Sequence, residues 1–571
     1  MKKILLILLL CTIAVVPFLG TFDYNTKGEP REAIVSLTMV ESDNWIIPRN
    51  SVGEIAYKPP LFHWAIAAVS SINGKVTEFT SRIPSAVAFI LLTVITYIFL
   101  RRRSDERTAL FTSVLVFTAY ELHRMGFNCR VDMLLTLFIV AAMYGLYRWY
   151  ERGMKGIPWV AMLMMSLGTL TKGPIGALLP CLVTGVFLLL RKVNFFKALL
   201  WMMALGLLSL IIPACWYFAA YQQAGDEFVQ LMMEENVGRM TNTMTYKVHE
   251  APWFMNFAYI LMSMAPWTLL GLISLRWLHY SSPKGIKWAT IRENTSSWLR
   301  RVHPLTLYAL TAVVIITLFF CIPECKRSVY LMPIYPFLSF LTAKYLLRMS
   351  QRHSCPFGIY AGFLSVFGII IALLFIALKF VALPSSMFHG KNAFDSQEMV
   401  SNLSGDNSIV SWMIILLTLI ACGLWWRWRR QHRGGQPALQ AIIVMTLLLY
   451  LCFDAVLKPS ILNAKSQKHI AQQIEALVPQ GQGQLYEYIE KGIQAKGDPI
   501  HYYELNFYMG DRIDNFHLRK PQSGYLLIGD KDAELRMAEF QNEGYQFKLL
   551  YTSGQEPVLK QTLQLYQFWK L

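Results

Sequence analysis

Residues 22–82, FDYNTKGEPREAIVSLTMVESDNWIIPRNSVGEIAYKPPLFHWAIAAVSSINGKVTEFTSR, decide how the rest of the chain is read. The stretch is polar and acid-bearing, and apolar runs flank it at residues 4–19 and 83–100. A connection of roughly sixty residues between two membrane spans is long enough to build a site rather than merely join them. Residues 29–40 fit one short helix, with Pro30 in its first turn, where a missing N–H costs nothing. Tyr57-Lys58-Pro59-Pro60 fits a rigid extended turn, because a residue before proline is pushed out of the α region. Residues 61–69 are apolar but too few to cross a bilayer. Acids, a lysine and a surface-lying or re-entrant helix are thus held at a membrane edge.

The whole chain agrees. Of 571 residues, 54% are hydrophobic and 16% charged, which excludes an ordinary soluble enzyme and fits a polytopic membrane protein. The net charge of +17 does not indicate nucleic acid, because much of the excess lies in short loops between apolar runs, where it sets topology. The nine cysteines are scattered, mostly inside apolar runs, and read as small buried hydrophobes. Cys321 and Cys325 lie close together, so a disulfide there stays open. Met1-Lys2-Lys3 followed by residues 4–19 resembles a secretory signal, but it lacks a small-x-small cleavage site and reads as a retained first span.

About thirteen apolar stretches read as spans, the third and fifth of them short: 4–19, 83–100, 108–122, 131–147, 159–170, 175–190, 198–220, 257–275, 305–320, 329–347, 357–382, 409–426 and 438–457. With the N-terminus in the cytoplasm, the inner loops are all basic, as in Arg101-Arg102-Arg103 and Arg427-Trp428-Arg429-Arg430. The opposite face then collects residues 22–82, 123–130, 171–174, 221–256 and 323–328. Residues 458–571 are polar. Helical periodicity at 466–477 and 532–542, and strand-like runs at 485–489 and 525–528, predict a small α/β domain on that same outer face. The expected architecture is therefore an α-helical transmembrane domain, 1–457, with amphipathic helices in its first outer loop, 22–82, and a soluble α/β domain, 458–571.

Ionisable residues at span ends facing one side mark a cavity. The acids there include Asp23, Glu29, Glu32, Glu54 and Asp132. Such carboxylates can deprotonate an acceptor or bind a divalent cation. The cations are Lys58, Arg82, Arg124, Arg130, Lys172, Arg239, Lys326 and Arg327. Guanidinium and ammonium groups in this number suit a phosphate or pyrophosphate. His249, just before a span, could join a loop carboxylate in a mixed nitrogen and oxygen metal site.

Several of these segments together resemble the bacterial GT-C glycosyltransferases that use polyprenyl-phosphate sugars. Thr171-Lys172-Gly173-Pro174 resembles their TKGP turn, and Lys326-Arg327-Ser328-Val329-Tyr330-Leu331-Met332-Pro333 their basic pair with Y-x-x-P. Met39 to Pro48, Lys58-Pro59-Pro60, Asn236-Val237-Gly238-Arg239 and His249-x-x-Pro252 are similar to further family patterns. The nearest resemblance is to the lipid A 4-amino-4-deoxy-L-arabinose transferases, with protein O-mannosyltransferases more distant. It implies a GT-C fold of about thirteen transmembrane helices with an outer soluble domain, in the bacterial inner membrane. It also implies an undecaprenyl monophosphate sugar donor and an acceptor that is lipid A, or alternatively a protein hydroxyl. Lys58, Lys172, Lys326, Arg327 and Arg239 would hold the donor phosphate. Glu29 or Asp23 would be the catalytic acid, with Arg82, Arg130, Asp132 and Tyr330 in support and His249 as a metal ligand. The chain departs from the family at two places. Counting back from Met39, the family's Asp-Glu pair falls on Gly28-Glu29, while a gapped alignment puts Asp23 on the acid. The family's Glu before Lys-Pro is here Tyr57. A transporter of a lipid-linked sugar would share the basic face but should show inverted repeats, which the sequence does not.

Overall fold

The computed structural model describes all residues except 1, 51, 57, 239–240, 242, 244–249, 279–300, 382, 390–392, 492–499 and 555–560. Among the described residues, each apolar stretch named above lies mainly on helix. Five helices are long and apolar enough to cross a membrane among the described residues: Glu78–Leu100, Val131–Glu151, Cys355–Phe380, Ile409–Gln431 and Gly435–Asn463. Two bent pairs raise the number to as many as seven. The expectation of about thirteen counted apolar stretches without regard to helix length. Ile175–Leu190 and Pro304–Phe319 have 16 residues each. At 1.5 Å per residue each is about 24 Å long, short of the roughly 30 Å hydrocarbon layer.

The stretch 198–220, expected as one span, is two helices, Phe195–Ser209 and the start of Ile211–Met233, meeting at 43°. Pro213 explains the break. It has no N–H to offer the carbonyl four residues earlier, on Ser209. The Ser166 hydroxyl donates to that carbonyl instead, at 2.5 Å. The stretch 257–275 is likewise two short helices, Met255–Ser263 and Trp267–Leu275, at 104°. Pro266 stands between them.

The first loop folds into two helices. Gly28–Ser42 is stopped by Asp43 in the left-handed conformation, and Leu61–Asn73 by Gly74, also left-handed. The helix Glu78–Leu100 then starts on a capping box between Thr77 and Thr80. Ala33, Ile34, Phe62, Ile66 and Val131 pack together, so the loop helices rest on the start of Val131–Glu151.

Phe507 joins that same cluster from the C-terminal domain. Burying such a ring contributes about 2 kcal/mol. Gly435–Asn463 runs on through residue 458, and the sheet domain follows it. The domain holds β1 (Leu485–Tyr488), β2 (Ile513–Asn515), β3 (Ser523–Gly529), β4 (Tyr545–Thr552) and β5 (Leu563–Lys570) in the order β2-β1-β3-β5-β4. β1 runs parallel to β2 and β3, and β5 antiparallel to β3 and β4. The helices Lys468–Leu477 and Asp530–Asn542 match the expected ones closely. Lys468 ties the domain down with ion pairs of 2.9 Å to both Asp23 and Glu78.

Candidate active site

Where the helix ends of the first loop, Val131–Glu151, Trp159–Lys172 and the segment Ser328–Ile334 converge, they enclose a cavity of ≈ 730 Å³. Lys58, Arg130, Asp132, Lys172, Arg327 and Tyr330 all line it. Leu135, Ile139, Ile175, Leu178, Leu179, Phe319 and Phe320 give it apolar walls, and Asn50, Glu54, Glu227, Glu234, Glu235 and Tyr503 add a further polar lining.

Each polar group is aimed by local backbone. Trp159–Lys172 ends at Gly173, whose φ of 87° favours glycine. A Cβ there would also lie 2.4 Å from Asn236 Oδ1. Pro174 then starts the next helix. The TKGP turn therefore leaves Lys172 in the last turn, at the cavity. Its Nζ reaches Asp132 Oδ1 at 2.5 Å and stands 4.8 Å from the centre of the Tyr330 ring. Asp132 lies in the first turn of Val131–Glu151, and Arg130, in extended backbone before it, brings Nε to 3.6 Å from Oδ2. Arg327 precedes the 3-10 helix Ser328–Ile334. Its Nε is buried with no hydrogen-bond partner among the described residues.

Lys58 is held from behind. Its ammonium donates to Glu32, and Glu32 is also 3.0 Å from His63 Nε2. Burial pushes the Glu32 carboxyl up, but Lys58, His63 and Arg31 outweigh it and hold it well below the carboxylate range. Burial draws Lys58 down to about 8, against the attraction of Glu32, and the charges of Arg31, Arg130 and Lys172 push the same way. An anion in the cavity would relieve that crowding of positive charge.

Of the expected site residues, Glu29, Arg82, Asp23 and Lys326 do not line the cavity. Glu29 is buried and accepts from Arg82 Nε at 2.9 Å, Arg82 Nη2 at 3.2 Å and the Cys129 N–H at 2.8 Å. Arg82 is buried too, and donates to the carbonyls of Leu19 and Phe22. The pair joins the first loop to the helix Glu78–Leu100. Asp23 pairs with Lys468. The expectation of Glu29 or Asp23 as an acid in the cavity is therefore corrected: Arg82 holds Glu29 on the buried face of its helix, and Lys468 holds Asp23 in the segment before it. Lys326 is corrected likewise. It is buried and its ammonium donates to the carbonyls of Cys321, at 3.1 Å, and Pro323, closing the end of the preceding helix. At Gly28, where the family's Asp would fall, a Cβ would lie 2.0 Å from Arg130 Nη1. The Arg130 guanidinium occupies the space that a side chain on residue 28 would need. All nine cysteines are free, so no disulfide joins Cys321 to Cys325.

Arg239, His249 and Tyr57 lie outside the described residues. Among the described residues, no three His, Cys, Asp or Glu side chains are grouped to hold a metal ion. Of the carboxylates on the cavity lining, Asp132 is committed to Lys172, Glu227 to Arg49 and Glu54 to His501, while Glu32 behind it holds Lys58. The described donors thus do not form a metal site. Sequence reasoning missed the positions of Glu32 and His63. The signal was a histidine on an apolar helix in the same loop as an unassigned acid, since a buried imidazole needs a partner.

Residues 57–217 match the family model described as dolichyl-phosphate-mannose-protein mannosyltransferase. An uncharacterised protein of Aquifex aeolicus is 26% identical over 363 residues, 62% of this chain and 65% of that protein, just under two thirds of its length. The undecaprenyl phosphate-alpha-4-amino-4-deoxy-L-arabinose arabinosyl transferase of Erwinia tasmaniensis is 25% identical over 408 residues, 70% of this chain and 68% of that protein. ArnT from Cupriavidus metallidurans, solved with undecaprenyl phosphate bound, superposes with a TM-score of 0.70 at 19% identity, covering 99% of this chain and 98% of that one. The chain has the fold of ArnT. That likeness extends over the helices and the C-terminal sheet together.

Proposed function

We propose that the chain is an integral-membrane glycosyltransferase that moves a sugar from a polyprenyl monophosphate to an envelope acceptor, lipid A, at the outer face of the bacterial inner membrane. One observation carries the reading. The cavity sets Lys58, Arg130, Lys172 and the unpartnered Arg327 Nε against apolar walls from three helices. A phosphate on a long hydrocarbon tail has that same division. The names and fold of the relatives support it.

As the glycosidic bond breaks, the departing phosphate monoester gains charge. Lys58, Lys172 and Arg327 stabilise it, and because they are already in position little reorganisation is needed at the moment of reaction. Asp132 holds Lys172 and Arg130 in place. A hydroxyl acceptor needs a base within hydrogen-bond reach. Of the acids that line the cavity, Asp132 is tied to two of its cations and Glu227 to Arg49, while Glu54, Glu234 and Glu235 lie on the same lining. An acceptor already ionised near neutral pH, such as a lipid A phosphate, asks for no base from any of them.

The test is the full-length protein in lipid vesicles with labelled undecaprenyl-phosphate-linked 4-amino-4-deoxy-L-arabinose and lipid A. Label on lipid A supports the reading. Label on protein moves the acceptor to Ser or Thr, and label that crosses the bilayer unchanged overturns the transferase.

A further inference from the structure

The C-terminal domain reaches into the cavity. Tyr503, on the helix Tyr503–Tyr508, lines it beside Asn50 and Glu54 of the first loop. Glu54 accepts from Asn50 Nδ2 at 2.9 Å, and His501 Nε2 stands 3.2 Å from its other oxygen. The other ring nitrogen of His501 is bonded to Glu487 of β1, which also accepts from the Tyr502 N–H at 3.0 Å. His501 is thus clamped between a glutamate of each domain. Burial alone would lower it, but the two carboxylates raise it to about 10, so it is an imidazolium at neutral pH.

Glu54 is held from two sides and still has capacity. A carboxylate can accept about four hydrogen bonds, its side chain is 35% exposed, and it lies on the cavity wall. Glu227 on a neighbouring wall is instead taken by Arg49 at 2.8 Å. A sugar bonded to a phosphate on the cationic wall must lie within the same cavity. The apolar walls suit the tail, which leaves the polar wall for hydroxyl and amino donors.

We propose that Asn50, Glu54 and Tyr503 bind the sugar of the phosphate-linked donor, and that His501, from the C-terminal domain, is the positioning residue for Glu54. The proposal rests on the transferase reading. It makes the sheet domain part of the donor site rather than an appendage.

The experiment compares two probes on the full-length protein in nanodiscs: undecaprenyl phosphate, and the same lipid carrying 4-amino-4-deoxy-L-arabinose. Glu54→Gln and His501→Gln should leave the affinity for undecaprenyl phosphate within about twofold and weaken the glycosylated lipid about tenfold, the loss of one charged hydrogen bond. The double variant should be no weaker than Glu54→Gln alone. Tyr503→Phe, which keeps the ring, should also weaken only the glycosylated lipid, and it stands in if His501→Gln does not fold. Equal losses for both lipids, or none in Glu54→Gln and Tyr503→Phe, overturn the sugar site. Multiplying effects in the double variant overturn the positioning role. A wild type that binds neither lipid sinks the transferase reading itself.

Discussion

Lys172 Nζ and Asp132 Oδ1 are 2.5 Å apart, joining the last turn of one helix to the first turn of another across the floor of the cavity. The ammonium is thereby fixed without being hidden, since its side chain is 23% exposed. Replacing Lys172 with Ala removes a preorganised charge and should lower kcat about 10²- to 10³-fold, the usual cost of one transition-state donor. Asp132→Asn should cost less in kcat, because Lys172 keeps its charge and loses only its anchor. Radiolabel transfer at saturating donor measures both. Near-normal turnover in Lys172→Ala would sink the phosphate clamp.

Lys58 gives a pH signature. Burial first, then three neighbouring cations, set it near 8, with Glu32 pulling the other way. The charged form, present below that value, is the one that meets a phosphate. In free enzyme, kcat/KM for the donor should therefore fall as pH rises through about 8. Bound donor adds negative charge and should move the limb in kcat upward. Lys58→Arg should remove the limb from the range below pH 10, because guanidinium stays protonated. A kcat/KM profile flat to pH 10 in wild type would show that Lys58 does not contact the donor.

Arg327 and Lys326 are neighbours in sequence and opposites in the fold. Arg327 lines the cavity, whereas Lys326 binds the carbonyls of Cys321 and Pro323. Arg327→Ala should weaken binding of undecaprenyl phosphate with little change in thermal midpoint. Lys326→Ala should do the reverse, since it leaves buried carbonyls unpaired at about 1–3 kcal/mol. Binding and melting curves on both variants decide, and swapped outcomes would exchange the two roles.

That pair shows where sequence reading stops. The basic doublet was visible, but at Arg327 the backbone is extended (φ −140°, ψ 139°), and in extended chain successive side chains point to opposite sides. Sequence alone cannot say which of the two faces the cavity. The same holds for Glu29 and Glu32 on one helix, where Arg82 claims the first and Lys58 the second. The TKGP turn was legible because a helix end, a left-handed glycine and a proline are local requirements. The helices were legible from apolar runs, and the bend at Pro213 could have been. His501 and Tyr503 were not, because their partners lie in the first loop, far away in sequence, and no local pattern announces such a contact.

Gly28 and Arg130 supply the last prediction. A Cβ on residue 28 would meet Arg130 Nη1 at 2.0 Å. The obstacle is the far end of a flexible side chain, so the guanidinium can swing aside. Gly28→Ala should therefore leave folding nearly unchanged, and it adds helix propensity in the first turn of Gly28–Ser42. It should instead displace Arg130 from the cavity wall and raise KM for the donor severalfold, with kcat less affected. Arg130→Ala should show the same rise, and the double variant no more than either alone, because both remove one contact. Gly28→Asp goes further: a carboxylate there would pair with Arg130 and set an acid near the reacting centre. If the acceptor is an ionised phosphate, that acid gains nothing and adds repulsion, and transfer to lipid A should fall below that of Gly28→Ala. Steady-state kinetics on the four variants measures this. A rate with Gly28→Asp above wild type would mean that the acceptor loses a proton during transfer, and a hydroxyl acceptor would then replace the lipid A phosphate.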